Sequence, residues 1–186
     1  SHYDFLGAVE NFFSKCAPAM FMGWSNLNFD RRMFHFNFFK GNRYPYATHS
    51  SPNQEHDGLH IARAAQTLNP ETLKTELTVA GNPSLALESL SRMQGFDTSA
   101  SHTAYVDALN SLKVLRIIKD KHKENWQTFL KTSTKPSVET ILKSDGIYSI
   151  FENVKGRNMM YLVCTLHPNQ CFHPSYASWG YVWDCR

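Results

Sequence analysis

The feature that most constrains this chain is a long helical pattern in its middle, from Ser99 to Thr132. Ser101 is a suitable N-cap for such a helix. Apolar residues at helical spacing lie together on one face, and that face must be covered by a core. The pattern therefore predicts a central helix packed against other elements. The apolar positions are Val106, Leu109, Leu112, Leu115, Ile118, Trp126 and Phe129.

Shorter helical signals flank this region on both sides. Residues 4–15 have their apolar side chains on one helix face. Asn69-Pro70-Glu71 is a start signal, with an Asn cap followed by Pro at the first helical position. Gly81–Ser84 ends that helix and begins another over Leu85–Met93. Residues 137–144 predict one more short helix.

Strand signals lie towards the two ends of the chain. Phe34, Phe36 and Phe38 alternate with other residues within Arg31–Asn42, which predicts a half-buried strand. Residues 43–51 predict a second strand, in which Pro45 requires either an edge position or a place at the start of the strand. Three closing strands are predicted as "IYSIF" (147–151), "NMMYLVCTL" (158–166) and "SWGYVWDC" (178–185).

Together these elements predict an α+β fold. Its mixed or antiparallel sheet would combine the N-terminal and C-terminal strands, with a helical block between them. A chain of 186 residues is most simply one domain, so residues 1–186 are predicted to form a single domain.

Composition and charge favour a globular protein. Apolar residues make up 42% and charged residues 19%, a balance typical of folded chains. The net charge of +3 comes from scattered Lys and Arg, and the densest basic stretch, Lys113–Trp126, is interpreted as a solvated helix face. No apolar run is long enough to span a bilayer, and no start resembling a signal peptide is present. We therefore predict neither a nucleic-acid partner nor a membrane span.

Four cysteines bear on the compartment: Cys16, Cys164, Cys171 and Cys185. An even number permits two disulfides, and sequence alone leaves all three pairings open. Their spacing fits no zinc knuckle. We predict an oxidised, secreted protein, with four buried thiols as the alternative.

The spacing of the histidines is consistent with a metal site. His56 and His60 are four residues apart and would share one face of a helix, with His49 or His35 as a third ligand. The general-base Glu of H-E-x-x-H zinc enzymes is missing here, and Gly58 weakens the helix between the two histidines. The alternative is a group of histidines at a loop-to-helix junction.

The run "YATHSSPNQE" from Tyr46, followed by Gly58-Leu59, resembles the first strand of the cholera and heat-labile enterotoxin A chains. "IYSIF" and "NMMYLVCTLHPNQCFHP" are similar to later strands of the same family, the ADP-ribosyltransferases. The likeness covers about a third of the chain. It implies an ADP-ribosyltransferase-like fold with NAD as cofactor.

The same resemblance implies which residues would contact NAD: Tyr46, His49, Ser50 and Ser149. Ala47 stands where the family has its arginine, and no Glu follows the "MYLVC" strand. The resemblance therefore leaves open whether the protein is an active enzyme or a degenerate relative.

The function predicted from these features is a secreted, toxin-like effector involved in virulence that acts on or binds a host protein. One alternative is a secreted, non-enzymatic interaction module that uses an aromatic surface around Trp179, Tyr181 and Trp183. The other alternative is the histidine-liganded metal protein.

Overall fold

The computed structural model describes residues 1–99, 103–144, 146–165, 172–173, 175–176 and 180–185. Helices and short strands alternate along these residues, and the predicted α+β class is confirmed. The helices are α1 (His2–Cys16), α2 (Asp30–Lys40), α3 (Gly58–Leu68), α4 (Leu87–Met93), α5 (Ala104–Lys121), α6 (Lys123–Lys131) and α7 (Lys135–Lys143). The strands are β1 (Met20–Gly23), β2 (Gln54–Asp57), β3 (Ile147–Val154), β4 (Arg157–Thr165) and β5 (Val182–Asp184).

Two small sheets are present in the described part of the chain. β1 and β2 pair in parallel, whereas β3, β4 and β5 form an antiparallel sheet in that order. The N-terminal strands therefore pair with each other, and so do the C-terminal strands. The β3–β4 hairpin turns at Lys155 and Gly156, which both adopt the left-handed conformation that tight hairpin turns require.

The chain divides into two compact units, residues 1–59 and 60–186. The core of the first unit contains Leu6, Phe13 and Phe38, with Phe21 and Phe34 packed beside them. The helix predicted over residues 4–15 is confirmed as α1, in which Leu6 and Phe13 are buried whereas Phe5 and Phe12 are exposed. Its Ser1 N-cap forms a capping box with Asp4. The single-domain organisation stays a prediction.

The strand predicted over residues 31–42 is wrong, because this segment forms helix α2. Phe34 and Phe38 are four residues apart and stack on each other, with ring centroids separated by 6.1 Å. Both pack edge-on against Phe13, whereas Phe39 is 77% exposed. The alternation of aromatic residues concealed this i, i+4 pair, which is the spacing that buries one face of a helix.

Two further local predictions are also wrong. The strand predicted over residues 43–51 is a series of turns, in which the N–H groups of His49 and Ser50 both donate to the carbonyl of Tyr46. The helix predicted to start at Asn69 is absent, since the Asn69 side chain accepts from the Glu71 N–H at 2.9 Å. That hydrogen bond closes a turn after α3 instead of capping a new helix.

The second unit is built around helices α4 and α5, whose Leu90, Val114 and Ile118 are fully buried. The long helix predicted in the middle of the chain is divided into α5 and α6 at His122. His122 is buried and its Nε2 lies 2.7 Å from the Thr72 hydroxyl. This hydrogen bond satisfies the polar side chain at the break between the two helices.

The predicted disulfides do not form among the described cysteines. Cys16, Cys164 and Cys185 are free thiols, and Cys171 lies outside the described residues. The cysteine count permitted two bridges but did not require them, because thiols are common in folded proteins.

None of the described helices has the length and apolar content that a membrane span needs.

Candidate functional site

The carboxyl ends of β1 and β2 lie side by side, because the strands are parallel and Gly23 pairs with Asp57. Parallel sheets bind ligands beyond the carboxyl ends of their strands. The chain leaves β1 through the loop of residues 24–29 and enters α2 at Asp30. We call this loop, the first turn of α2 and the strand β2 the strand-end site.

Asp57 shapes the loop of the strand-end site. Its carboxylate is fully buried and accepts backbone N–H groups from Ser25 at 2.8 Å, Leu27 at 3.4 Å and Leu59 at 2.9 Å. Ser25 adopts the left-handed conformation, with φ of 59°. Hydrogen bonds from backbone amides to a carboxylate are strong, so they hold this backbone in place. Asp57 therefore has a structural role, because its buried carboxylate is occupied by backbone hydrogen bonds.

Glu55 forms the second acidic position and is also buried, with a side chain only 4% exposed. Its Oε2 accepts from Arg31 Nε at 2.7 Å, and its Oε1 accepts from Asn26 Nδ2 at 3.3 Å. Gly23 permits the close approach of this loop, since a Cβ on residue 23 would lie 3.0 Å from the Asn26 Cβ. A buried carboxylate is stable only when it is paired in this way.

Asp30, at the first turn of α2, differs from both of these residues. It is exposed to solvent, and no side chain among the described residues forms a hydrogen bond or an ion pair with it. Loss of hydration to the surrounding protein raises the pKa of Asp30, and the negative charges of Asp57 and Glu55 raise it further. Asp30 is therefore the acidic group of the strand-end site that is available for chemistry.

A cluster of aromatic and imidazole rings, formed by His35, Tyr46 and His49, lies beside Glu55. The ring centroids of these residues are 5.1–5.6 Å apart, and His49 Nδ1 lies 3.7 Å from Glu55 Oε2. Burial, followed by the positive charge of Arg31, lowers the pKa of His49 in spite of the nearby carboxylate. His49 is therefore neutral at pH 7, and its contact with Glu55 is not an ion pair at that pH.

The available carboxylate suits two kinds of chemistry. A carboxylate with a raised pKa can accept a proton from water, and carboxylates also hold the divalent cations that assist phosphoryl transfer. No group of three or more His, Cys, Asp or Glu side chains among the described residues is arranged to hold a metal ion.

The structure brings together three of the four residues expected to bind a cofactor. Tyr46, His49 and Ser50 lie in one turn region of the first unit, where the Ser50 hydroxyl is 2.7 Å from the Tyr44 hydroxyl. Ser149 is exposed on β3, in the second unit. Their role in cofactor binding stays a prediction.

The predicted histidine metal site is not found in the described part of the chain. His56 lies on β2, and its Nδ1 accepts the Asp57 N–H at 2.8 Å, whereas His60 lies on α3. The two residues do not share a helix, so the i, i+4 argument fails. Of the predicted aromatic surface, Tyr181 and Trp183 are exposed, and Trp179 lies outside the described residues.

Comparisons with known proteins give a consistent result. The chain is 26% identical over 127 residues to the exodeoxyribonuclease I of Haemophilus influenzae, a match covering 68% of this chain and 27% of that protein. It is 25% identical over 178 residues to the exodeoxyribonuclease I of Buchnera aphidicola, a match covering 90% of this chain and 36% of the relative. The chain thus spans about a quarter to a third of the length of these relatives. No protein-family model matches it.

A solved structure shows the same fold. The crystal structure of Escherichia coli exonuclease I in complex with a dA16 oligonucleotide matches 95% of this chain with a TM-score of 0.77 at 19% identity. The matched region is 38% of that chain. This chain is therefore folded like part of exonuclease I.

These findings overturn several predictions made from the sequence. The resemblance to ADP-ribosyltransferases is wrong, because both the sequence relatives and the structural neighbours are exonucleases. The prediction of a secreted, toxin-like effector that acts on or binds a host protein is wrong for the same reason, and so is the alternative of a secreted, non-enzymatic interaction module. The exclusion of a nucleic-acid partner is contradicted by the oligonucleotide bound to the structural neighbour. NAD was expected as a cofactor only because of the ADP-ribosyltransferase resemblance, so that expectation no longer has support.

Sequence reasoning missed all three acidic residues of the strand-end site. Asp30 directly precedes the segment interpreted as a strand (31–42), and the prediction at residues 49–60 concerned the histidines and not Glu55 or Asp57. Signals were present for two of the three, Asp57 and Asp30. Asp57-Gly58 directly follows a short polar segment and precedes a helical pattern, and Asp30 follows the loop-like sequence "SNLN" (25–28).

Proposed function

We propose that this chain is part of an exodeoxyribonuclease I-like enzyme that binds single-stranded DNA and hydrolyses it. The observation that carries the proposal is the likeness to exonuclease I over 95% of the chain, supported by sequence similarity over 178 residues. The oligonucleotide bound to the structural neighbour is dA16, a sequence that cannot pair with itself by Watson–Crick base pairing, so single-stranded DNA is the substrate class that this comparison supports.

The strand-end site supports the same proposal. In phosphodiester hydrolysis, a water oxygen forms a bond to phosphorus, the bond from phosphorus to one sugar oxygen breaks, and that oxygen takes up a proton. Asp30 provides an exposed carboxylate with a raised pKa at the place where parallel sheets bind ligands. Arg32 and Lys40 are exposed on the same helix and supply positive charge for a phosphate backbone.

The first experiment measures DNA binding by the 186-residue chain. Fluorescence anisotropy with a labelled dT16 oligonucleotide should show binding, and a labelled duplex of the same length should bind more weakly. Loss of charge at Arg32 and Lys40 in the double variant Arg32→Gln, Lys40→Gln should weaken binding. A chain that binds neither oligonucleotide at low salt would contradict the proposal.

The second experiment measures cleavage by the longest natural protein that carries this chain, with Mg²⁺ present. Asp30→Asn should slow the shortening of an end-labelled dT16 oligonucleotide on the order of a hundred-fold or more, because the variant lacks the carboxylate. DNA binding should be retained, since the substitution removes negative charge. Asp120→Asn is the matched control, as Asp120 is exposed on α5 outside the site. Equal rates for Asp30→Asn and the control would contradict the role of Asp30.

A further inference from the structure

Three residues of the strand-end site form a closed ring of hydrogen bonds, which we call the Glu55 ring. The Arg31 N–H donates to the Asn26 carbonyl at 2.9 Å. Asn26 Nδ2 donates to Glu55 Oε1 at 3.3 Å, and Arg31 Nε donates to Glu55 Oε2 at 2.7 Å. The ring thereby joins the loop after β1, the first turn of α2 and the strand β2.

The position of the ring couples it directly to Asp30. Arg31 is the next residue along α2, and both its backbone N–H and its side chain are held by the ring. The peptide unit that joins Asp30 to Arg31 therefore cannot shift without breaking a hydrogen bond of the ring. Because Glu55 is buried, loss of Arg31 would also leave its charge unpaired beside Asp30.

We propose that Glu55 and Arg31 are positioning residues for Asp30, and that their ion pair holds in place the first turn of α2, which carries the Asp30 carboxylate. This inference rests on the proposed nuclease function. Glu55, with its side chain 4% exposed, acts through Arg31 and not by contact with DNA. Arg31 offsets the negative charge that Glu55 brings to the site.

The electrostatic surroundings of Asp30 define how the two positioning residues can be tested. Among the described residues, Glu55 and Asp57 on β2 act on the pKa of Asp30, and Arg31 on α2 forms an ion pair with Glu55. His49 interacts with Arg31 and Glu55, and the ring of His35 lies 5.1 Å from that of His49. Removal of the negative charge of Glu55 should lower the pKa of Asp30, whereas removal of the positive charge of Arg31 should raise it.

The experiment compares Glu55→Gln, Arg31→Met and Arg31→Lys in the longest natural protein that carries the chain. The pH at which cleavage of the dT16 oligonucleotide falls by half on the acid side should decrease in Glu55→Gln and increase in Arg31→Met. In both variants kcat should fall about ten-fold or more with little change in KM, because the side chain that is misplaced acts in the chemical step. Arg31→Lys should restore part of kcat. Opposite shifts in the pH profile are not expected from a general loss of structure.

One control variant and two further measurements separate a positioning role from a loss of structure or of activity. Arg92→Met breaks the exposed Glu76–Arg92 ion pair of the second unit and should leave the kinetics unchanged. The pKa of Asp30 is also measured by carboxyl NMR in the 186-residue chain, which requires no activity, and thermal unfolding confirms that each variant is folded. If the wild type neither binds nor cleaves DNA, the proposed function is wrong. The NMR titration of Asp30 still tests the role of the Glu55 ring in that case. If folded Glu55→Gln and Arg31→Met retain the wild-type pH profile and Asp30 pKa, the positioning role is overturned.

Discussion

At the scale of single residues, the three carboxylates of the strand-end site differ in their hydrogen-bond partners and in their exposure to solvent. The Asp57 carboxylate accepts hydrogen bonds from backbone N–H groups, and the Glu55 carboxylate accepts them from Arg31 and Asn26. Asp30 alone among the three is exposed, and its pKa is raised. Partners, and not residue type, therefore decide which acid is available for chemistry.

His49 gives a residue-scale prediction about pH and stability. Burial and the charge of Arg31 hold its pKa below the usual 6.5, so the unfolded chain takes up this proton at a higher pH than the folded chain. The stability that depends on neutral His49 is fully present above pH 6.5 and is lost as the pH falls below it. Between pH 7.5 and 5.5, the wild type should therefore lose more free energy of unfolding than His49→Gln, with a difference below about 1 kcal/mol because the side chain is partly exposed.

Urea unfolding at the two pH values measures this difference. His122 also has a pKa lowered by burial, but it is present in both proteins and cancels in the comparison. His2→Gln, at an exposed position of α1, serves as the control and should follow the wild type. A steeper loss of stability in His49→Gln than in the wild type would contradict the prediction.

At the scale of elements, helix α2 carries a prediction about packing. Phe38 is 1% exposed in the core of the first unit, whereas the adjacent Phe39 is 77% exposed. Phe38→Ala should lower the free energy of unfolding by about 3–5 kcal/mol, because it leaves a cavity between α1 and α2. Phe39→Ala, the matched control, should change it by less than about 0.5 kcal/mol. Chemical denaturation measures both, and equal losses would imply that the segment is not the helix described.

The elements that were predicted correctly are those whose sequence signal has one interpretation. Helix α1 and the helical middle of the chain show apolar residues at helical spacing over several turns, and β3 is rich in β-branched and aromatic residues. Segment 31–42 satisfied both the helical and the strand pattern, and its tertiary contacts with Phe13 decided in favour of the helix. Local pattern alone does not contain that information.

The candidate site was less predictable than the fold, for a physical reason. Glu55 and Asp30 are 25 positions apart in sequence, and they meet only because β1 and β2 pair in parallel with Met20 opposite Gln54. β2 is a polar segment of four residues without the alternation that marks a strand. A register set by such a short strand depends on the side-chain contacts of Asp57 and Glu55 themselves, which no sequence pattern displays.

At the scale of the whole molecule, net charge leads to a prediction about DNA binding. The chain carries a net charge of +3, and single-stranded DNA releases bound counterions when Lys and Arg neutralise its phosphates. With two to three phosphate contacts, the affinity for dT16 should fall on the order of ten-fold between 50 and 200 mM salt. Anisotropy titrations in KCl measure the slope, and an affinity independent of salt would contradict a phosphate-backbone interaction. A titration with a neutral small solute in place of KCl is the control for non-specific quenching of the fluorescent label.

The contacts of Asp57 have a consequence for how the first unit opens. One carboxylate holds amide groups of the loop after β1 and of the first turn of α3, so its release would free both segments in a single event. Local unfolding of this region is therefore cooperative. The loop after β1 and the start of α3 unfold together and not one after the other.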